Sequence, residues 1–130
     1  MEFLKIKETC LYVRDLEMAK TFYNERLGLP VINYVAGKHI FFRAGSSVLL
    51  CFNPHDSKEK TSPPAHYGRG KQHFAFEVTK AAYEKAKQEI LDKGITITDY
   101  VTWPSGTESF YFEDLEGNVL EIVPDAGIWD

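Results

Sequence analysis

Apolar and polar positions alternate along most of this chain in short runs, and the runs fall into two similar sets. Lys5 to Val13 predicts a strand with Leu11 and Val13 on one face and Ile6, Glu8, Cys10 and Tyr12 on the other. Asp15 is placed to cap a helix whose apolar positions Ala19, Phe22, Tyr23 and Leu27 recur at helical spacing, with Gly28 and Pro30 ending it. Three further strands are predicted at Val31 to Val35, Lys38 to Arg43 and Ser47 to Phe52. After a stretch rich in Pro and Gly, His73 to Val78 opens a new strand with Phe74, Phe76 and Val78 opposed to His73, Ala75 and Glu77. Thr79 then caps a helix facing inward through Tyr83, Ala86, Ile90 and Leu91 and ending at Gly94. Ile95 to Thr102, Thr107 to Glu113 and Asn118 to Val123 supply the last three strands. The final two form a hairpin around Asp114 to Asn118, whose positive φ is assigned to Gly117 or Asn118.

Each half therefore reads β-α-β-β-β, which implies an α+β fold of two tandem βαβββ modules forming a curved mixed-sheet cavity. Superposing the halves at an offset of about 65 residues sets Glu8 on His73 and Val13 on Val78. The strand holding Leu50 then matches the one holding Glu121. The domain assignment is one domain over 1–130, with module 1 at about 5–52, a linker or mobile loop at 53–72 and module 2 at about 73–124. Neither module closes a core alone, since helix covers only one face of each sheet; the bare faces are expected to meet.

Composition narrows the function classes. The chain of 130 residues is 44% apolar and 26% charged, which suits a folded domain rather than a disordered one. A net charge of -4 gives no footprint for nucleic acid or an anionic membrane. Cys10 and Cys51 match neither a zinc spacing nor a disulfide framework, and the N-terminal residues hold no apolar run of signal or membrane length. A cytoplasmic setting is expected.

Glu121 is the first chemical clue, because an ionised carboxylate amid an apolar strand is unfavourable without a partner. Glu8, His73 and Glu121 all lie on the strand faces opposite the bulky apolar residues. If the two sheets curve around a shared cavity, all three enter it, and a divalent cation relieves the repulsion between the carboxylates while using the imidazole. The plain alternatives are an edge-strand residue facing water for Glu121, a solvated strand for Glu8, beside Lys5 and Lys7, and a satisfied histidine at a strand start for His73. His39, His55 and His66 show no ligand spacing, and solvent-exposed loop or strand positions account for them. Phe22, Tyr23, Phe74, Phe76, Phe110 and Phe112 read as core.

The segments from Glu8 to Leu29, from His73 to Val78 and the hairpin ending in Leu120, Glu121 and Ile122 resemble the vicinal oxygen chelate superfamily, in order and with its spacing. That superfamily includes glyoxalase I, fosfomycin-resistance enzymes, extradiol dioxygenases and bleomycin-resistance proteins. The resemblance implies a glyoxalase-like fold and a divalent metal held by Glu8, His73 and Glu121. Glutamate stands at the first position, where histidine or glutamine is usual. The fourth ligand of glyoxalase I falls on Leu50, or at best neighbouring Cys51. One histidine with two glutamates favours manganese, zinc, nickel or magnesium as a Lewis acid, and fits iron-based oxygen activation less well. Ser109 and Tyr111 sit where the fosfomycin-resistance enzymes contact the phosphonate, although Cys10 replaces a hydroxyl residue and the tail Ile128, Trp129 and Asp130 lacks a basic one. Arg69 or Lys71 from the linker offers positive charge instead.

The implied function is a metal-dependent enzyme performing lyase, isomerase or thiol-transfer chemistry on a small oxygen-chelating metabolite. Its alternative is a non-catalytic, drug- or metabolite-sequestering protein of the bleomycin-resistance type. Glu8 or Glu121 would act as general base, with Cys10, Tyr12, Ser109, Tyr111 and Trp103 as substrate-binding residues. Trp103 also reads as a loop cap, ahead of Pro104, Ser105 and Gly106. The expected partners are a small-molecule substrate and a second copy in a homodimer, with no nucleic acid and no membrane.

Overall fold

A computed structural model describes residues 1–129, so the expectation placed on Asp130 lies outside the described residues. Two units emerge, Met1–Gly70 and Lys71–Asp130. Each carries one four-stranded mixed sheet of the same topology.

In the first unit the strands are β1 (Glu8–Tyr12), β2 (Val31–Val35), β3 (His39–Ala44) and β4 (Ser47–Phe52), arranged β1-β4-β3-β2. β1 runs parallel to β4, while β2, β3 and β4 form an antiparallel meander. Strand β1 starts at Glu8 rather than Lys5, because pairing with β4 begins at Glu8 opposite Val48. The ammonium groups of Lys5 and Lys7 instead reach the Ser46 carbonyl.

Helix α1 (Leu16–Lys20) starts where the Asp15 carboxylate accepts the Met18 N–H at 3.0 Å, as the sequence predicts. It does not continue as a regular α-helix: Thr21–Arg26 is a π-turn, with Leu27 N–H bonding back to the Phe22 carbonyl at 3.0 Å. The widened turn buries the adjacent Phe22 and Tyr23 together. They pack with Leu11, Val13, Ile40, Phe42, Leu49 and Cys51 on the buried side of the sheet, with Tyr23 and Phe42 ring centroids 5.5 Å apart.

The stretch 53–72 is more ordered than a linker. Asn53 caps a single turn, α2 (Pro54–Ser57), through its side-chain oxygen and the His55 N–H. The buried Ser57 hydroxyl then donates to the His66 carbonyl and ties the following loop down. Sequence reasoning had no periodicity to follow here, because the segment is held by these individual bonds.

The second unit repeats the plan. Strands β5 (His73–Val78), β6 (Ile97–Thr102), β7 (Glu108–Glu113) and β8 (Val119–Pro124) are arranged β5-β8-β7-β6, with β5 parallel to β8. The predicted β6 loses its first two residues, since Ile95 is buried as part of the helix exit. Thr79 caps as expected, through a 3₁₀ turn at Lys80–Ala82 that leads into α3 (Tyr83–Asp92). Tyr83 and Ile90 are buried and Ala86 is half-buried, but Leu91 is exposed, one residue round from the buried stripe. Phe110, Phe112, Leu120 and Ile122 form the core as read; Phe74 and Phe76, on the edge strand β5, are only half-buried and meet edge to face at 5.0 Å. Both sheets carry a register shift at matching places, between Val31 and Asn33 in one and between Ile97 and Asp99 in the other.

Among the described residues no helix is long and apolar enough to cross a membrane.

Candidate metal and substrate site

The β7–β8 turn positions the polar residues of the second module. One Asp114 carboxylate oxygen accepts the N–H groups of Glu116 and Asn118, and the other accepts the Asn118 side-chain amide, each within 2.9 Å. Gly117, at φ 84°, supplies the left-handed residue, and no other residue type takes a positive φ among the described residues. The buried Asn118 oxygen then accepts the Gln72 N–H at 3.0 Å, which delivers His73 opposite Val119.

His73 Nδ1 lies 2.9 Å from the Val119 carbonyl oxygen. A carbonyl only accepts, so Nδ1 carries a proton, and in the neutral ring the lone pair is left on Nε2. That nitrogen is 3.4 Å from a Glu121 carboxylate oxygen, with the Glu121 side chain only 8% exposed. In the register Glu121 lies between Ala75 and Tyr111. Burial, together with the hydrogen bond to Glu121, pushes the Tyr111 phenol above its ordinary range, and Tyr111 also bonds with Ser109. The indole N–H of Trp103 donates to the fully buried Ser109 hydroxyl at 3.0 Å. Trp103 does cap its loop, through its own N–H to the Thr107 carbonyl, and its ring centroid is 6.2 Å from that of Trp129. His73, Glu121, Tyr111, Ser109 and Trp103 are thus brought together, as an imidazole and a carboxylate backed by a polar chain.

In the first module Glu8, Cys10 and Tyr12 do share one face of β1, opposite Val48, Leu50 and Phe52 in turn. Glu8 is exposed and the other two are half-buried. Burial first, then the Glu8 charge, raises the Cys10 thiol; burial and Cys10 raise Tyr12. Leu50 pairs with Cys10 as Glu121 pairs with Ala75, which verifies the internal match and leaves an apolar residue in the place of a fourth ligand. Cys51 is no substitute, being fully buried on the α1 side of the sheet. The exposed Lys71 ammonium sits 3.3 Å from the Glu113 carboxylate. Among the described residues no three His, Cys, Asp or Glu side chains gather as a metal-binding group.

The structure also assembles residues that spacing gave no reason to join. His39 stacks on Phe41, and His66, from the tied-down loop, packs against Phe52. Gly68 of the same loop lies so near the Tyr12 ring that a Cβ there would fall 2.8 Å from it. The period-two register joins His39 to Phe52 and so was legible in principle; the loop contacts were not.

A duplicated βαβββ chain carrying an imidazole–carboxylate pair on one sheet is the class that fold and site define. The chain belongs to the Glyoxalase/Bleomycin resistance protein/Dioxygenase superfamily, whose family model matches residues 5–122. Its fold is that of a lactoylglutathione lyase from Agrobacterium tumefaciens, 32% identical, with a TM-score of 0.88 over 95% of this chain and 96% of the other. A glutathione transferase FosA from Serratia marcescens is 29% identical over 117 residues, covering 86% of this chain and 74% of that protein. An integron cassette protein from the mobile metagenome of V. cholerae is 25% identical, with a TM-score of 0.74 over 97% and 98% of the two chains. The first two of these relatives are named as enzymes, one a lyase and one a transferase.

Proposed function

We propose that this chain is a divalent-metal-dependent enzyme performing lyase, isomerase or thiol-transfer chemistry on a small oxygen-bearing or electrophilic metabolite. The supporting observation is the Nε2 of His73 set 3.4 Å from the buried Glu121 carboxylate, with Nδ1 already engaged by the Val119 carbonyl. One neutral imidazole nitrogen and one carboxylate are a donor set that manganese, zinc, nickel or magnesium accepts. In this reading His73 and Glu121 hold the cation, and Glu8, from the first module of this chain or of a second copy, is the third ligand. The bound cation would supply Lewis-acid polarisation of a substrate oxygen.

The chain's own residues do the rest. The Val119 carbonyl fixes the His73 tautomer, so that Nε2 is never the protonated nitrogen of the neutral ring. Tyr111 donates to Glu121 and holds the carboxylate in place. Trp103 can only donate, so the Ser109 oxygen accepts that hydrogen bond and its own O–H is left to donate to Tyr111. Glu8 or Glu121, whichever carboxylate is displaced from the cation on substrate binding, would accept the proton leaving the substrate carbon or thiol. Cys10 and Tyr12 would line the substrate side of β1. A homodimer is part of the proposal, since a second copy is one source of the third ligand.

Metal content of protein purified without chelator, and thermal melts with manganese, zinc or nickel, test the reading. The wild type should bind the ion and gain about 2.7 kcal/mol at a hundredfold excess over Kd. His73→Ala and Glu121→Gln should lose that gain, and Glu8→Gln should weaken it. No bound metal and no stabilisation would overturn the proposal in favour of sequestration without catalysis, for which the aromatic face of the first module is suited.

A further inference from the structure

On the face of the first module that carries Glu8 lies a cluster of rings that takes no part in holding the cation. The register aligns Tyr12, Phe52 and His39 across β1, β4 and β3, with Phe41 on the neighbouring rung. His39 and Phe41 stack face to face, centroids 4.2 Å apart and planes 11° apart, and Phe41 meets Phe52 edge-on at 5.4 Å. His66 completes the set, its centroid 5.0 Å from that of Phe52. All five rings are half-buried, and they lie on the sheet face opposite the fully buried Leu11, Ile40, Phe42 and Cys51. At the matching positions of the second module stand Ser109, Tyr111 and Val123, so the duplicated scaffold carries rings in one copy and the polar chain in the other.

The two imidazoles say what should cover the rings. His39 Nε2 lies 2.6 Å from the Asn33 side-chain oxygen, and His66 Nδ1 lies 2.7 Å from the Pro64 carbonyl. Both oxygens only accept, so each nitrogen is the N–H donor, and the other nitrogen of each neutral ring keeps a lone pair. Burial, helped by Lys60, holds His39 below its ordinary range and so keeps it neutral at pH 7. A purely apolar cover would leave these acceptors unpaired, and an anion would face their lone pairs. A flat ring bearing donor groups satisfies both the stacking surface and the acceptors.

We infer that the Tyr12, His39, Phe41, Phe52 and His66 face is a recognition subsite for a planar aromatic or conjugated group bearing hydroxyl or N–H donors. This rests on the small-molecule reading above and makes such compounds its substrate class. The loop 58–70 thereby becomes part of the binding wall, held by Ser57 and by the close approach of Gly68 to Tyr12.

Phenol, toluene and cyclohexanol titrated into isotope-labelled protein, with a chelator present, provide the test by NMR. Phenol should give saturable shifts at these five residues, including His39 Nδ1 and His66 Nε2. Toluene, which lacks the donor, and cyclohexanol, which lacks the flat ring, should bind about tenfold more weakly. Phe41→Leu and His66→Leu should each weaken phenol binding by about five- to tenfold while leaving metal uptake by His73 and Glu121 intact. No saturable response, an equal response to cyclohexanol, or shifts confined to the second module would overturn the inference. So would shifts at these residues that follow protein dilution and ignore phenol, since they would assign the face to a second copy. Because a chelator is present throughout, failure here leaves the metal reading standing, and loss of the metal reading leaves ring binding measurable.

Discussion

Replacing Glu121 with leucine should make the metal-free protein more stable and the metal-loaded protein comparatively less stable. Glu121 is 6% exposed and lies mid-strand between Ala75 and Tyr111. Removing an ionised carboxylate from water costs several kcal/mol even after relaxation. Against this stands one hydrogen bond from Tyr111 to the carboxylate, worth about 1.5–3 kcal/mol. Leucine has a similar volume, and the duplicated sheet already accepts it at the equivalent Leu50, 7% exposed opposite Cys10. The half-buried Tyr111 hydroxyl can turn to water once its partner is gone. The net expectation is a gain of about 1–2 kcal/mol without metal. Urea denaturation with chelator should show it as a midpoint raised by about 0.5–1 M at unchanged slope. With manganese or zinc in hundredfold excess the order reverses, because only the wild type gains the binding energy of about 2.7 kcal/mol. A Glu121→Leu protein that is less stable than wild type in chelator would refute the argument, since Glu121 would then be a structural anchor rather than a carboxylate held in reserve for a cation.

Two further outcomes follow from the second module. Glu108 is held below the ordinary 4.5, chiefly by its bond to Lys87 at 2.7 Å, with Tyr83 adding a second bond. A carboxyl depressed in the folded state stabilises above its unfolded pKa, and that stability is lost as pH falls through the folded value. Glu108→Gln should therefore cost about 1 kcal/mol at pH 7, discounted for a side chain 35% exposed, and progressively less as pH falls below 4.5; a pH-independent loss in denaturant melts would contradict this. Asp114→Ala strips the acceptor from Glu116 N–H, Asn118 N–H and the Asn118 amide in a nearly buried turn. It should cost about 2–3 kcal/mol in urea melts and weaken metal uptake through the misplaced His73; full metal affinity would show that the turn does not position the ligand.

The two levels of information divide cleanly along this chain. Alternation with period two suffices to say that Glu8, Cys10 and Tyr12 share a face, that Phe110 and Phe112 turn away from Ser109 and Tyr111, and that the halves repeat. Those relations are local, and every strand residue must go to one side or the other. Capping is equally local, which is why Asp15 and Thr79 were readable as helix starts. Where the α-helix gave way to a π-turn at Thr21, where Leu91 met solvent, and how 53–72 was tied down were decided by packing between distant residues. The tautomer of His73 belongs to the same category, since it depends on a carbonyl 46 residues away. The ring face does too, because His66 reaches Phe52 only once Ser57 has caught the loop. A pattern along the chain assigns sides; only tertiary folding selects which groups on a side come within bonding distance, because that selection is made by contacts whose members the chain keeps far apart.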